Sequence, residues 1–140
     1  MLGTLIKKKL TDNQVANIFI NALFETVDNG FPEVAQLIND DVAFVRSPNL
    51  GVKNDGEFAL ITIVGNLSFL ESTFEPEQAG RVEEIIFEKL AGIYEMPTAD
   101  FKKLIREYQS FIQRVNHPSK NMIYAMSKAV FQKYNLNDFQ

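Results

Sequence analysis

The sequence predicts an all-α fold: a compact single domain, residues 1–140, of about six helices around a buried central helix at residues 57–71. Three observations carry this. Between Glu57 and Glu71 lie 13 residues without a charge, ten of them apolar or glycine. A run apolar on all sides is normally buried on all sides, so other elements are expected to pack around it. Helical spacing, opened by capping residues and closed by glycine or proline, recurs along the rest of the chain. Third, no convincing partner strand exists for a sheet; Val42-Ala-Phe-Val45 is the one short candidate.

The central run has a competing strand reading. Ile61-Thr-Ile-Val64 is β-branched, and Ala59, Ile61, Ile63, Gly65, Leu67 and Phe69 alternate on one face. Length favours a helix, as do the capping candidates Asn54 and Asp55 ahead of Glu57. Thr62, Gly65, Asn66 and Phe69 then share one stripe, at spacings of three and four. Glycine inside a helix costs ~1 kcal/mol relative to alanine, which close approach of a neighbouring helix can offset. The run is shorter than the ~20 residues a membrane-spanning helix needs.

In chain order, Met1-Leu-Gly-Thr-Leu-Ile-Lys-Lys-Lys-Leu10 is an apolar lead-in followed by lysines. A signal peptide has the opposite order, and Leu2 stands where myristoylation needs glycine. Leu2, Leu5 and Ile6 with Lys7, Lys8 and Lys9 offer a membrane only a short patch, and the segment is expected to pack as an approach to the first helix. Thr11-Asp-Asn-Gln14 is a capping box. The helix it opens is expected to reach Asp28 and to end at Asn29-Gly30, with glycine in the left-handed conformation. Phe31-Pro32 then begins a short helix to about Asn39 with Val34, Leu37 and Ile38 on its apolar face.

Residues 40–56 lack helical spacing and contain three turn signals, Ser47-Pro48, Asn49-Leu-Gly51 and Asn54-Asp-Gly56. Val42, Phe44 and Val45 are expected to pin this loop to the body. Pro76 opens a helix to about Tyr94 with Ala79, Val82, Ile86, Leu90 and Ile93 inward. Thr98 is the expected cap of the next helix, which turns Phe101, Leu104, Ile105, Tyr108, Phe111, Ile112 and Val115 inward. Ser119 is the expected cap of the last helix, to about Asn135, with Ile123, Met126, Ala129 and Val130 inward. The stretch from Glu75 to Phe111 resembles, in helix spacing alone, the tellurite-resistance TerB-type helical domains. It covers about a quarter of the chain, contains no motif, and implies no residue role.

Composition bounds the chemistry. The chain has no cysteine, hence no disulfide, thiolate metal site or cysteine nucleophile, and a cytoplasmic protein is expected. It has one histidine, His117, and the residue three before it is Arg114, not the carboxylate of a di-iron helix motif. The glycines at 51, 56 and 65 form no phosphate loop, and neither Asp28-Asn-Gly30 nor Asn54-Asp-Gly56 matches a calcium loop. His117 and Ser119 are the nearest approach to an acid–base pair, but nothing supplies an orienting acid or an oxyanion donor. No enzyme, cofactor or metal is therefore expected.

Charge is divided along the chain. Residues 1–100 hold seven basic and sixteen acidic residues, whereas residues 101–140 hold seven and two. Such asymmetry marks either a surface for an acidic partner or basic helices laid against the acidic part of their own chain. The expected role is a non-enzymatic interaction or accessory protein that binds a protein partner or a second copy of itself. The candidate partner surface is Phe44, Arg46, Asn49, Lys102, Lys103, Arg106, Arg114 and His117. The alternative is weak nucleic-acid binding by the basic helix pair 101–135, with Tyr124 and Tyr134 for stacking.

Overall fold

The computed structural model describes residues 10–140; the lead-in segment and its lysines lie outside them. Five α-helices follow in order: α1 (Asp12–Asn39), α2 (Gly56–Thr73), α3 (Pro76–Ile93), α4 (Thr98–Asn116) and α5 (Met122–Lys133). Short 3-10 turns occupy Val52–Asn54 and Leu136–Phe139. Helix of either kind makes up 78% of the structure, with no strand among the described residues.

The expected helix count of about six falls to five because the first two are one. The capping box forms: Thr11 Oγ1 accepts from the Gln14 N–H at 3.1 Å and Gln14 Oε1 accepts from the Thr11 N–H at 2.9 Å. The helix then runs through Gly30 and Pro32 to Asn39, and no glycine of the described residues has a positive φ. The reason is visible in its buried stripe. Ala16, Ile20, Leu23, Val27, Phe31 and Ala35 continue one face without a break. Pro32 forfeits the N–H that would reach Asp28, at ~3 kcal/mol or more. Against this, Phe31 is buried, with ring centroids 5.4 Å from Phe58 and 6.2 Å from Tyr134. Burial of a phenylalanine contributes ~1.5–3 kcal/mol and an aromatic pair about 0.5–1.5 more. Continuation therefore wins.

The loop after α1 is held by hydrogen bonds to its backbone, two of them from the Asn39 side chain. Asn39 pairs with Leu50 in both directions: its Nδ2 donates to the Leu50 carbonyl at 2.9 Å and its Oδ1 accepts from the Leu50 N–H at 2.7 Å. The Val45 N–H donates to the Phe139 carbonyl at 2.6 Å. Val42 and Val45, expected to anchor the loop, are 99% and 85% exposed, and only Phe44 is half-buried.

α2 realises the helix reading of the uncharged run and packs against each of the other four helices. Ala59, Ile61, Thr62, Ile63, Val64, Gly65, Leu67 and Leu70 are buried. It is not covered all round, since Phe69 stands 47% exposed. The glycine in its stripe is where α5 comes close. A Cβ at Gly65 would collide with the Met126 sulfur. Ala125 and Ala129, both fully buried, bring α5 in; Ile123, expected inward, is 61% exposed instead.

Three caps differ from expectation. Asp55 occupies the cap position of α2 without a side-chain bond, and Asn54 Oδ1 accepts from the Gly51 N–H at 2.7 Å. The Phe58 N–H donates instead to the Tyr134 hydroxyl at 3.1 Å, and that hydroxyl donates to the Asn54 carbonyl. Pro97, not Thr98, precedes α4. Asn121 caps α5, its Oδ1 accepting from the Tyr124 N–H at 3.0 Å; Ser119 Oγ accepts from the Asn121 N–H one step earlier.

α3 and α4 bury the expected stripes with two changes. Phe87 and Ala91 join the core of α3, while Ile93 is 54% exposed. Phe101 of α4 meets Phe87 at 6.2 Å and Tyr94 at 5.2 Å between centroids. Leu104, Phe111 and Val115 are partly buried against the same core.

Val64→Asp is expected to abolish cooperative thermal unfolding, followed by circular dichroism. An unpaired carboxylate in place of this buried side chain costs several kcal/mol. Tyr134→Phe removes the long-range cap and is expected to cost about 1–2 kcal/mol in denaturant titration. It also flattens the alkaline limb. Burial chiefly raises the Tyr134 phenol above its ordinary range, with Glu57 and Asp55 adding to it against the Phe58 amide. The folded state therefore keeps a proton that the unfolded chain loses, and stability falls as pH rises above about 10. The variant lacks that contribution.

Candidate functional site

The sequence-derived surface residues fall into two groups held by different elements. In the loop, the Arg46 guanidinium lies 4.7 Å from the centroid of the Phe139 ring. Asn49 adopts a left-handed φ of 56° and donates its N–H to Ser47 Oγ at 3.1 Å. Phe44 is half-buried. The second group lies along α4. Lys102 pairs with Glu84, while Arg106 Nη2 meets Glu83 Oε1 at 3.3 Å and Arg106 Nη1 donates to Gln109 Oε1 at 2.8 Å. Both cations also lie over the Phe87 ring, at 5.9 and 5.5 Å. Lys103 is exposed, and Arg114 sits 5.9 Å from the Phe111 centroid. Two of the four cations of this row are thus paired with acids of α3.

His117 is exposed and follows the last residue of α4, its N–H donating to the Gln113 carbonyl at 3.1 Å. Ser119 Oγ is engaged by the Asn121 amide. Tyr134, expected as a stacking platform, has its hydroxyl committed to the α2 N-terminus; Tyr124 remains 49% exposed, with Lys128 Nζ 4.9 Å above its ring. Among the described residues no cluster of three or more His, Cys, Asp or Glu side chains can hold a metal ion. No helix among them is long and apolar enough to cross a membrane.

A polar cluster sits at the N-terminus of α2. The Tyr108 hydroxyl donates to Glu57 Oε2, and Lys133 Nζ lies 4.5 Å from the Tyr108 and Phe111 ring centroids. Burial first, then Glu57, holds the Tyr108 phenol far above its ordinary range. The Tyr108–Glu57 hydrogen bond links α4 to α2, and Lys133 of α5 lies against the Tyr108 ring.

Two concavities lined by described residues bear on a site. One, about 260 Å³, lies between α2, α4 and the start of α5 and is lined by Val64, Ser68, Glu71, Arg106, Gln109, Ile112, Gln113 and Met122. Glu83 stands beside it. Desolvation and then the charge of Glu71 raise its carboxyl above the ordinary range, against the pull of Arg106.

The other is a groove of about 440 Å³ between the C-terminal half of α1, α2, α5 and the final 3-10 turn. Val34, Leu37 and Ile38 form one bank; Ile123, Met126, Val130 and Phe131 form the other; Phe58, Ile61 and Thr62 form the floor. Its two hydroxyls are spent on their own helices: Thr62 donates to the Phe58 carbonyl at 2.7 Å and Ser127 to the Ile123 carbonyl at 3.1 Å. Leu37 and Ile123 stand 73% and 61% exposed on opposite banks. The sequence surface missed this groove. Its signal was present in the apolar face Val34, Leu37 and Ile38, of which Leu37 stays 73% exposed in the fold.

Glu83→Gln is expected to raise the melting temperature at neutral pH. The folded state holds the Glu83 proton more tightly than the unfolded chain, so stability falls as pH rises from the ordinary glutamate range through the raised folded value. The glutamine variant escapes that fall, and its advantage disappears below about pH 4, where both states are protonated. Differential scanning calorimetry across pH checks this.

Comparison of this chain with protein-family models, with curated proteins and with solved structures finds no match.

Proposed function

We propose that this chain is a non-enzymatic interaction protein that takes an apolar segment of a protein partner into the groove between α1, α2 and α5. The observation that carries this reading is the groove's composition. A small-molecule or catalytic site combines apolar walls with a few convergent polar groups that orient the ligand. Here the hydroxyls of Thr62 and Ser127 are both satisfied within their own helices. What remains open to water is apolar side chain, and Leu37 and Ile123 project beside it. Exposed apolar area next to a concavity is the arrangement of helix-in-groove recognition, in which a partner's apolar side chains fill the depression.

Photo-crosslinking in the source cell tests the reading. A benzophenone amino acid at Leu37 is expected to give a covalent protein adduct under ultraviolet light, and Ile123→Glu in the same chain is expected to remove it. The control places the same group at Ile93, which is 54% exposed at the end of α3 and does not line the groove. No adduct at position 37, or equal adducts at 37 and 93, overturns the proposal.

A further inference from the structure

We propose that the smaller concavity, between α2, α4 and the start of α5, binds a small zwitterion of the free α-amino-acid class with an apolar side chain. This site is independent of the groove: it is lined by a different set of residues, and their chemistry is the opposite.

Helical spacing alone brings its polar groups together. On α2, Ser68 and Glu71 follow Val64 at steps of four and three; on α4, Gln109 and Gln113 follow Arg106 at steps of three and four. Each set makes one stripe, and both stripes border the same depression, whose apolar part is Val64, Ile112 and Met122. Hydrocarbon surface with a few polar groups around it is the composition of a small-molecule site, and it is what the groove lacks.

The hydrogen-bonding capacity of these groups is largely open. Arg106 engages two of its five N–H groups, on Gln109 Oε1 at 2.8 Å and on Glu83 Oε1 at 3.3 Å, and lies over the Phe87 ring. Three donors of an already positioned guanidinium remain. The Gln109 NH2, the Gln113 amide and the Ser68 hydroxyl have no protein hydrogen-bond partner among the described residues. Glu71 takes part in none of the ion pairs among those residues. It acts instead on Glu83, whose carboxyl is raised by burial and then by the Glu71 charge. A carboxylate on α2 and a guanidinium on α4 thus border one depression without pairing with each other, and the two glutamates outnumber the one cation.

Each feature restricts the ligand. The volume of about 260 Å³ is below the ~300–1,000 Å³ of drug-sized pockets and suits a molecule of amino-acid size. Unlike charges on the two walls select a molecule that has both: a carboxylate for the free Arg106 and amide donors, an ammonium for Glu71. The hydrocarbon side chain then covers Val64, Ile112 and Met122. The excess of acid makes the ammonium the indispensable end and disfavours phosphates and simple carboxylates. A divalent metal is disfavoured too, since Arg106 lies beside the acids and no group of three ligating side chains exists among the described residues.

Isothermal titration calorimetry of the purified chain at neutral pH with L-leucine, L-methionine and L-valine is the test. One-to-one binding of at least one is expected in the micromolar to low-millimolar range. For leucine, 3-methylbutylamine (no carboxylate) is expected to bind ~10-fold more weakly and 4-methylpentanoate (no amine) ~100-fold more weakly, as loss of charge-assisted hydrogen bonds implies. Glu71→Gln is expected to erase the advantage of leucine over 4-methylpentanoate, and Arg106→Gln its advantage over 3-methylbutylamine. Both side chains are exposed, so each variant should remain folded by circular dichroism. Failure of all three amino acids to bind at millimolar concentration overturns the proposal. So does an equal loss of all leucine-series ligands in either variant, which marks a structural role, or binding that ignores both substitutions. Abolition of leucine binding by Leu37→Glu places the ligand in the groove and overturns the proposal as well, leaving the groove itself to the crosslinking test.

Discussion

The structure depends on covering α2. A helix with no charge between Glu57 and Glu71 cannot stand against water, and its two ends must still find partners for their free backbone groups. Burial of its apolar side chains supplies the main driving force, at roughly 25 cal/mol per Å² removed from water. Each of the other four helices contributes one face to that cover. Their spacing follows from what α2 presents: glycine at 65 where Met126 comes closest, and large aliphatic side chains at 61, 63, 64 and 67, all deeply buried.

The N-terminus of α2 is the point where this packing becomes specific. Its Phe58 amide is answered by a hydroxyl from Tyr134, 76 residues away, and its Glu57 carboxylate by the hydroxyl of Tyr108 on α4. Phe31 packs beside Tyr134 and Phe58, which ties α1 to the same point and explains why α1 continues past a proline. An interior built only of aliphatic contacts tolerates sliding of one helix on another. Directional hydrogen bonds at one end of the buried helix fix its register.

Charge is organised on the same frame. The acids of α3 meet the cations of α4 at Glu83 and Glu84, so part of the division between the acidic and basic portions of the chain is neutralised within the fold. These pairs are partly solvated and contribute little to stability individually. The groove, by contrast, is lined by uncharged side chains of α1, α2, α5 and the last turn.

The all-helical class, the four later helices to within a few residues and the inward stripes of α3 and α4 were legible in the sequence, because apolar periodicity is local and caps obey short-range chemistry. The capping box at Thr11 and Gln14 involves neighbours only and formed as read. Tertiary structure decided wherever a distant group competed with a local signal. Asn29-Gly30 is a stop signal and Phe31-Pro32 a start signal, yet burial of Phe31 among residues from α2 and the C-terminal part of the chain joined the two helices. Asn54 and Asp55 are good local caps, yet the Tyr134 hydroxyl took the amide of Phe58. Val42 and Val45 are apolar, yet they stand in water while the Asn39 side-chain amide holds the loop through the Leu50 backbone. The groove was hidden for the same reason: its banks come from residues about 90 positions apart, and only the packing of α1 and α5 on α2 leaves their apolar faces without a neighbour.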